Sequence, residues 1–222
     1  MSEEIWAGVE TYVDGLLILS DPVLEAALAA SEAAGLPEIA VTASQGKLLH
    51  LLARMLGARR VLEIGALGGY STIWLARALP PDGMLVSLES NRKHCEVARA
   101  NIARADLSEI VEFREGPALD TLPELAAEGL EPFDLVFIDA DKENTAAYFS
   151  WAMRLTRTGA AIIVDNVIRE GEVTNAQSQD ERVQGIRSFF DALAAEPRAT
   201  AATIQTVGSK GYDGFTLALV TS

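Results

Sequence analysis

The chain has 222 residues, 49% of them hydrophobic, which is ample for one compact domain and leaves no need for a second. Its formal net charge of −14, with eighteen Lys and Arg scattered along the chain, disfavours nucleic acid and anionic membrane surfaces as partners. The longest apolar stretches are broken by charges or glycine, and the opening MSEEIW lacks a basic segment followed by an apolar one. Cys95 is the one cysteine, so a soluble, cytoplasmic protein without disulfides or thiolate metal sites is expected.

Residues 1–57 read as helical. Apolar residues recur at three- and four-residue steps in Ile5, Val9, Tyr12, Val13 and Leu16, then in Val23, Leu24, Ala27 and Leu28. Asp21-Pro22 is a helix start, with Asp as cap and Pro at the first position. A third helix follows Ser44, carries Leu48, Leu49, Leu51, Leu52 and Met55 on its apolar face, and ends at Gly57.

From residue 58 onward the texture becomes one of short apolar runs alternating with amphipathic helices, the pattern of βαβ units and a parallel sheet. The runs are Val61 to Ile64, Met84 to Leu88, Ile110 to Phe113, Phe133 to Ile138 and Ala160 to Val164, with helices predicted at 70–79, 91–105, 118–128 and 142–156. A polar stretch, 169–180, and a helix at 181–195 precede Ala201 to Val207 and Gly214 to Val220, which Gly208-Ser209-Lys210-Gly211 joins as a hairpin. The expected fold is α/β: a doubly wound, Rossmann-like, seven-stranded and mostly parallel sheet with a terminal antiparallel hairpin and N-terminal helices.

Two segments carry chemistry. In Val61-Leu62-Glu63-Ile64-Gly65-Ala66-Leu67-Gly68-Gly69-Tyr70-Ser71 a strand runs through a glycine-rich turn into a helix, so a ligand can approach the backbone closely. Glu89 ends the second strand, where a carboxylate can accept both hydroxyls of a ribose, a feature that serves NAD and S-adenosylmethionine alike. Leu67 stands where the dinucleotide motif G-x-G-x-x-G wants its second glycine, which counts against an NAD-dependent oxidoreductase. The second segment, Phe133 to Lys142, delivers Asp139, Asp141 and Lys142 to the same sheet edge, and the next strand adds Asp165 and Asn166. Hard oxygen donors without His or Cys suit Mg²⁺ or another divalent cation. A single Asp after a strand more often caps a helix, as Asp141 could for one starting at Lys142, but Asp139, Asp165 and Asn166 together favour a metal.

With Glu63-Ile64-Gly65, Gly69-Tyr70-Ser71, Glu89, Asp139-Ala140-Asp141-Lys142 and Asp165-Asn166 in view, the chain resembles the cation-dependent O-methyltransferases, which include the catechol and caffeoyl-CoA enzymes. The resemblance runs from Val41 to Tyr212-Asp213-Gly214, and the DADK and DN pair is its specific part. It implies that Asp139, Asp165 and Asn166 hold Mg²⁺, that Glu89 binds the ribose of S-adenosylmethionine and Ser71 its methionine carboxylate, and that Glu63, Gly65, Ala66 and Gly69 surround the amino-acid end. Val41, Ala118 and Asp139 would pack near the cofactor, and Asp139 and Lys142 would be catalytic, Lys142 as a desolvated general base toward a phenolic hydroxyl.

The acceptor implied is a small catechol-like phenol and the assembly a homodimer, in which the N-terminal helices cover the cofactor or pack on a second subunit. A branch of the family thought to methylate a modified uridine in tRNA is the alternative, against which the charge counts. Lys210-Gly211-Tyr212 stands where the catechol enzymes place an acidic residue; Tyr212 and the loop from Val167 to Gln179 are candidates for shaping the acceptor pocket, and Arg169 is a candidate contact to an anionic acceptor. His50 and His94 are read as helix-surface residues, and Trp6, Trp74 and Trp151 as core or subunit contacts.

Overall fold

The computed structural model describes residues 3–222. Three helices come first: α1 (Glu3–Leu17), α2 (Pro22–Ala33) and α3 (Ala43–Met55). Asp21 caps α2 by accepting from the Val23 and Leu24 amides ahead of Pro22. The α3 cap is Thr42, two residues before the expected Ser44, because Thr42 and Gln45 close a reciprocal capping box and Ser44 instead donates to Asp14.

The α/β part then runs β1 (Arg60–Ile64), α4 (Tyr70–Ala76), β2 (Met84–Glu89), α5 (Arg92–Arg104), β3 (Val111–Glu115), α6 (Ala118–Ala127), β4 (Phe133–Ile138), α7 (Thr145–Leu155), β5 (Thr156–Asp165), α8 (Glu181–Ala195), β6 (Ala199–Gly208) and β7 (Gly211–Val220). The strands form one seven-stranded sheet in the order β3-β2-β1-β4-β5-β7-β6. The first five are parallel, and β7 pairs antiparallel with β5 on one side and β6 on the other.

Every residue of β4 is buried, and the period of two divides them between the faces. Val136 and Ile138 join Leu122, Phe149 and Phe189 under α6, α7 and α8. Leu135 and Phe137 join Leu49, Ile73, Trp74 and Ile102 under the helices of the opposite face.

One predicted element changes. The predicted helix at 142–156 is a single 3₁₀ turn, Lys142–Asn144, followed by α7, and Thr156 already has extended backbone that begins β5. The apolar stripe of α1 stays open: Ile5, Val9, Tyr12 and Leu16 are all more than half exposed, and α1 buries no residue. It is held by polar contacts, among them the Ser209 amide donating to Glu10 from the turn between β6 and β7. Among the described residues no helix is long and apolar enough to cross a membrane.

Candidate active site

Strand order reverses beside β1, with β2 on one flank and β4 on the other, and such switch points open a crevice at the carboxyl ends of the strands. Gly65 leaves β1 there with φ of +97°, and a Cβ on it would fall 2.2 Å from the Asp139 carbonyl oxygen. Only glycine lets the turn after β1 lie this close to the end of β4. The turn is held from β2: Glu89 Oε2 accepts from the Ala66 and Leu67 amides at 3.2 and 2.9 Å, and Oε1 accepts from the Asn91 amide at 2.8 Å. A carboxylate has about four acceptor positions, so Glu89 keeps capacity toward a ligand.

Behind the turn lies Glu63, fully buried in β1. It accepts hydroxyl hydrogen bonds from Ser71 at 2.6 Å, Ser87 at 2.6 Å and Thr72 at 2.5 Å. Burial pushes its pKa up to about 7; the three hydroxyls oppose that rise and the charge of Asp139 adds to it.

Across the turn, Lys142 Nζ donates to Asp139 Oδ1 at 2.8 Å, and the Lys142 side chain is only 10% exposed. Asp165, at the end of β5, is buried, and its pKa is raised to about 7, first by burial and next by the charge of Asp139. The Asn166 amide donates to Asp165 Oδ1 at 2.8 Å, and Asn166 takes the left-handed conformation, φ +58°, that Asn tolerates better than most residues. Asp141 caps no helix; it accepts from the Tyr148 hydroxyl at 2.6 Å and from the Asn144 side chain. Among the described residues no three His, Cys, Asp or Glu side chains cluster as a metal site; the set expected from the sequence has two carboxylates, Asp139 and Asp165, and the side-chain amide of Asn166.

These groups surround a cavity of about 840 Å³. Val41, Gly65, Ala66, Ser71, Glu89, Ala118, Asp139, Lys142 and Asn166 lie on its wall. Glu63, Gly69 and Asp165 do not: Glu63 is behind Ser71, Gly69 is the N-terminal cap of α4, and Asp165 borders a separate narrow apolar crevice beneath α3. Lys210 is absent from the wall as well; its ammonium donates to the carbonyl of Ala40, a wall residue in the loop before α3. Tyr212 donates to Gln205.

A sequence model of the O-methyltransferase family matches residues 19–220. The chain belongs to this family. It is 57% identical over 212 residues to a protein of Mycobacterium tuberculosis named catechol O-methyltransferase, covering 96% of this chain and 94% of that one. Among solved structures, the O-methyltransferase from Bacillus cereus in complex with SAH superposes with a TM-score of 0.98 at 55% identity, over 99% of this chain and 100% of the other. The O-methyltransferase TomG from Streptomyces achromogenes, solved in complex with SAM, gives 0.97 at 52% identity with both chains fully covered. Membership removes the oxidoreductase reading of the glycine turn.

Three residues of this O-methyltransferase escape the sequence reading of the site. His94, taken for a surface residue, lies on the cavity wall with Nδ1 3.5 Å from Glu89 Oε1, because the first turn of α5 starts directly after the Glu89 corner. His50 is half-buried on α3 with Nδ1 3.1 Å from the Trp74 carbonyl, away from the cavity. Asp213 Oδ1 accepts from the Ile168, Arg169 and Gly214 amides at 2.9, 3.1 and 3.0 Å, and so fixes the loop after Asn166. Gly185 of α8 packs against the Lys142 backbone, where a Cβ would fall 2.2 Å from the Lys142 carbonyl oxygen.

Proposed function

We propose that this O-methyltransferase moves the methyl group of S-adenosylmethionine onto a phenolic hydroxyl of a catechol-like small molecule, with Mg²⁺ or another divalent cation held by Asp139, Asp165 and Asn166. The observation that carries the reading is the hydrogen bond of Lys142 to Asp139 on the cavity wall, with Asn166 on the same wall, across the glycine turn from Glu89. The names of the Mycobacterium, Bacillus and Streptomyces relatives are in keeping with it.

The donor set fits a cation. Asp165 is a buried carboxyl whose ionised form is opposed by burial and by the charge of Asp139, and a divalent cation held by these residues would offset both. When bound, such an ion supplies Lewis acidity that favours a phenol as its anion at neutral pH.

The protein's own groups do the rest. In its neutral amine form Lys142, desolvated and hydrogen-bonded to Asp139, takes the proton that the acceptor hydroxyl releases and becomes the ammonium, which Asp139 stabilises. Glu89 binds the ribose hydroxyls with the acceptor capacity that the turn leaves free. With Glu63 ionised, the Ser71 hydroxyl hydrogen is committed to it, so the Ser71 oxygen is left as an acceptor and suits the ammonium of the methionine end in place of the carboxylate that the resemblance implies. Holding donor and acceptor in line replaces a bimolecular encounter, which is where much of the rate arises. The exposed α1 stripe of Ile5, Val9, Tyr12 and Leu16 provides an apolar face for a second copy, and the chain is proposed to act as a homodimer.

The test is methyl transfer from labelled S-adenosylmethionine to caffeic acid with and without EDTA. Turnover that EDTA abolishes and Mg²⁺ restores is expected, as is a kcat for Lys142→Ala that falls more than KM rises. Full activity in EDTA overturns the metal assignment, and an unchanged kcat removes Lys142 as base.

A further inference from the structure

The cavity wall carries three lysine and arginine side chains: Lys142, Arg169 and Arg182. Lys142 is hydrogen-bonded to Asp139, and Arg182 is satisfied twice over by Asp180, with Nε on Oδ1 at 3.0 Å and Nη2 on Oδ2 at 2.6 Å. Arg169 differs. Its nearest carboxylate oxygen, Asp213 Oδ2, is 3.7 Å away, beyond hydrogen-bond distance, and the other oxygen of Asp213 is already taken by three backbone amides.

The Arg169 side chain is only 24% exposed. Its Nε is buried with no hydrogen-bond partner, one of three such side-chain nitrogens among the described residues. The other two belong to Trp74 and Arg114, neither of which lines the cavity. A buried guanidinium donor left unpaired is costly, and a planar fork of donors is matched by a carboxylate.

The backbone beneath it is constrained to match. Arg169, Glu170 and Gly171 follow one another with φ of +53°, +56° and +90°, left-handed backbone that non-glycine residues adopt only where surrounding contacts hold it. Asp213 holds the start of this stretch by accepting from the Ile168 and Arg169 amides, and Arg169 lies on the wall three residues after Asn166.

We infer that Arg169 is a specificity-determining residue that binds an anionic group, a carboxylate, carried by the phenolic acceptor. The inference rests on the reading of the preceding subsection, that the acceptor is a phenol. A neutral catechol leaves the guanidinium unpaired, whereas an acid-bearing vicinal diphenol satisfies it.

The pair 3,4-dihydroxybenzoate and its methyl ester tests this, since the two share the diphenol and differ in the charge. The expected result is a kcat/KM for the acid about tenfold to a hundredfold above that for the ester, the range that one hydrogen bond to a charged group confers. Arg169→Met brings that ratio to about one through a raised KM for the acid, while Arg182→Met leaves the ratio standing. Arg169→Lys keeps the charge without the fork, retains an intermediate ratio, and replaces the Met variant if that one does not fold. A wild-type ratio of one, a ratio that survives in the Arg169 variants, or an equal loss on both compounds overturns the assignment. If the wild type methylates neither compound, the phenol reading itself has failed; calorimetric binding of acid against ester to wild type and variant then decides the role of Arg169 separately.

Discussion

Gly185→Ala is a change far from any reacting atom in sequence that should cost activity out of proportion to stability. The added Cβ would fall 2.2 Å from the Lys142 carbonyl oxygen and 2.6 Å from Glu143 Cα, both backbone atoms with no rotamer to move away. For an ordinary contact the Lys142 turn must retreat by about 1 Å, which also strains the hydrogen bond from the Thr145 hydroxyl to that carbonyl. Overpacking of this kind costs about 1–3 kcal/mol, and the better helix propensity of alanine returns about 1 kcal/mol, so the net destabilisation is ~0–2 kcal/mol. At ~2–4 °C per kcal/mol for a chain of this size, the fall in Tm is modest. Displacement of Lys142 by about 1 Å is worth ~100-fold in rate. Scanning calorimetry beside initial rates at saturating S-adenosylmethionine measures both quantities. A Gly185→Ala protein with wild-type kcat would refute the argument that this contact sets the position of Lys142.

The remaining predictions concern charge and the acceptor loop. The pKa of Asp165 is raised from 3.8 to about 7, so the folded protein holds that proton more tightly than the unfolded chain; its contribution to stability is complete below pH 3.8 and is lost as pH rises through about 7. Glu63, raised from 4.5 to about 7, acts in the same direction. Asp165→Asn should therefore raise the Tm of the protein in EDTA at pH 8, flatten its decline between pH 4 and 8, and cancel the rise that Mg²⁺ gives the wild type; an undiminished Mg²⁺ effect in the variant would remove Asp165 from the cation site. Asp213→Ala deprives three amides of their acceptor, and KM for the phenolic acceptor should rise severalfold while KM for S-adenosylmethionine holds; an equal rise in both would show that the loop after Asn166 does not serve the acceptor alone.

The sheet was legible in the sequence because its strands are short continuous apolar runs between helices of clear period, and α8 begins and ends at the predicted residues. The meeting of Asp139 with Glu89 at one edge was legible because the ends of parallel strands converge there by topology, whereas Glu63, expected beside the cofactor, lies behind Ser71. What was not legible depends on contacts distant in sequence. Thr72 and Ser87 read as unremarkable residues of a helix and a strand, and only the fold brings both hydroxyls to Glu63. Gly185 looks like a weak point in an amphipathic helix until α8 is laid against the Lys142 turn. His94 follows Glu89 by five positions in the chain, and the tightness of the corner between β2 and α5, capped by Asn91, is what returns it to the carboxylate. The stripe of α1 has the period of a core helix, and period alone does not distinguish a face that packs within the chain from one left open.

The place of β7 in the sheet bears on the order in which the molecule can be assembled. It is the last strand in sequence, yet in space it lies inside the sheet, between β5 and β6. While the chain emerges from a ribosome, β1 to β5 can pair as they appear, but β6 has no neighbour to join until β7 follows it. The turn between them carries Ser209 and Lys210, whose contacts to Glu10 and Ala40 span separations of 199 and 170 residues. The α1 helix and the loop along the cavity therefore receive these tethers only after β1 to β6 have been made, and the glycine turn and the Asp139 corner are both synthesised before the tethers that hold the loop beside them.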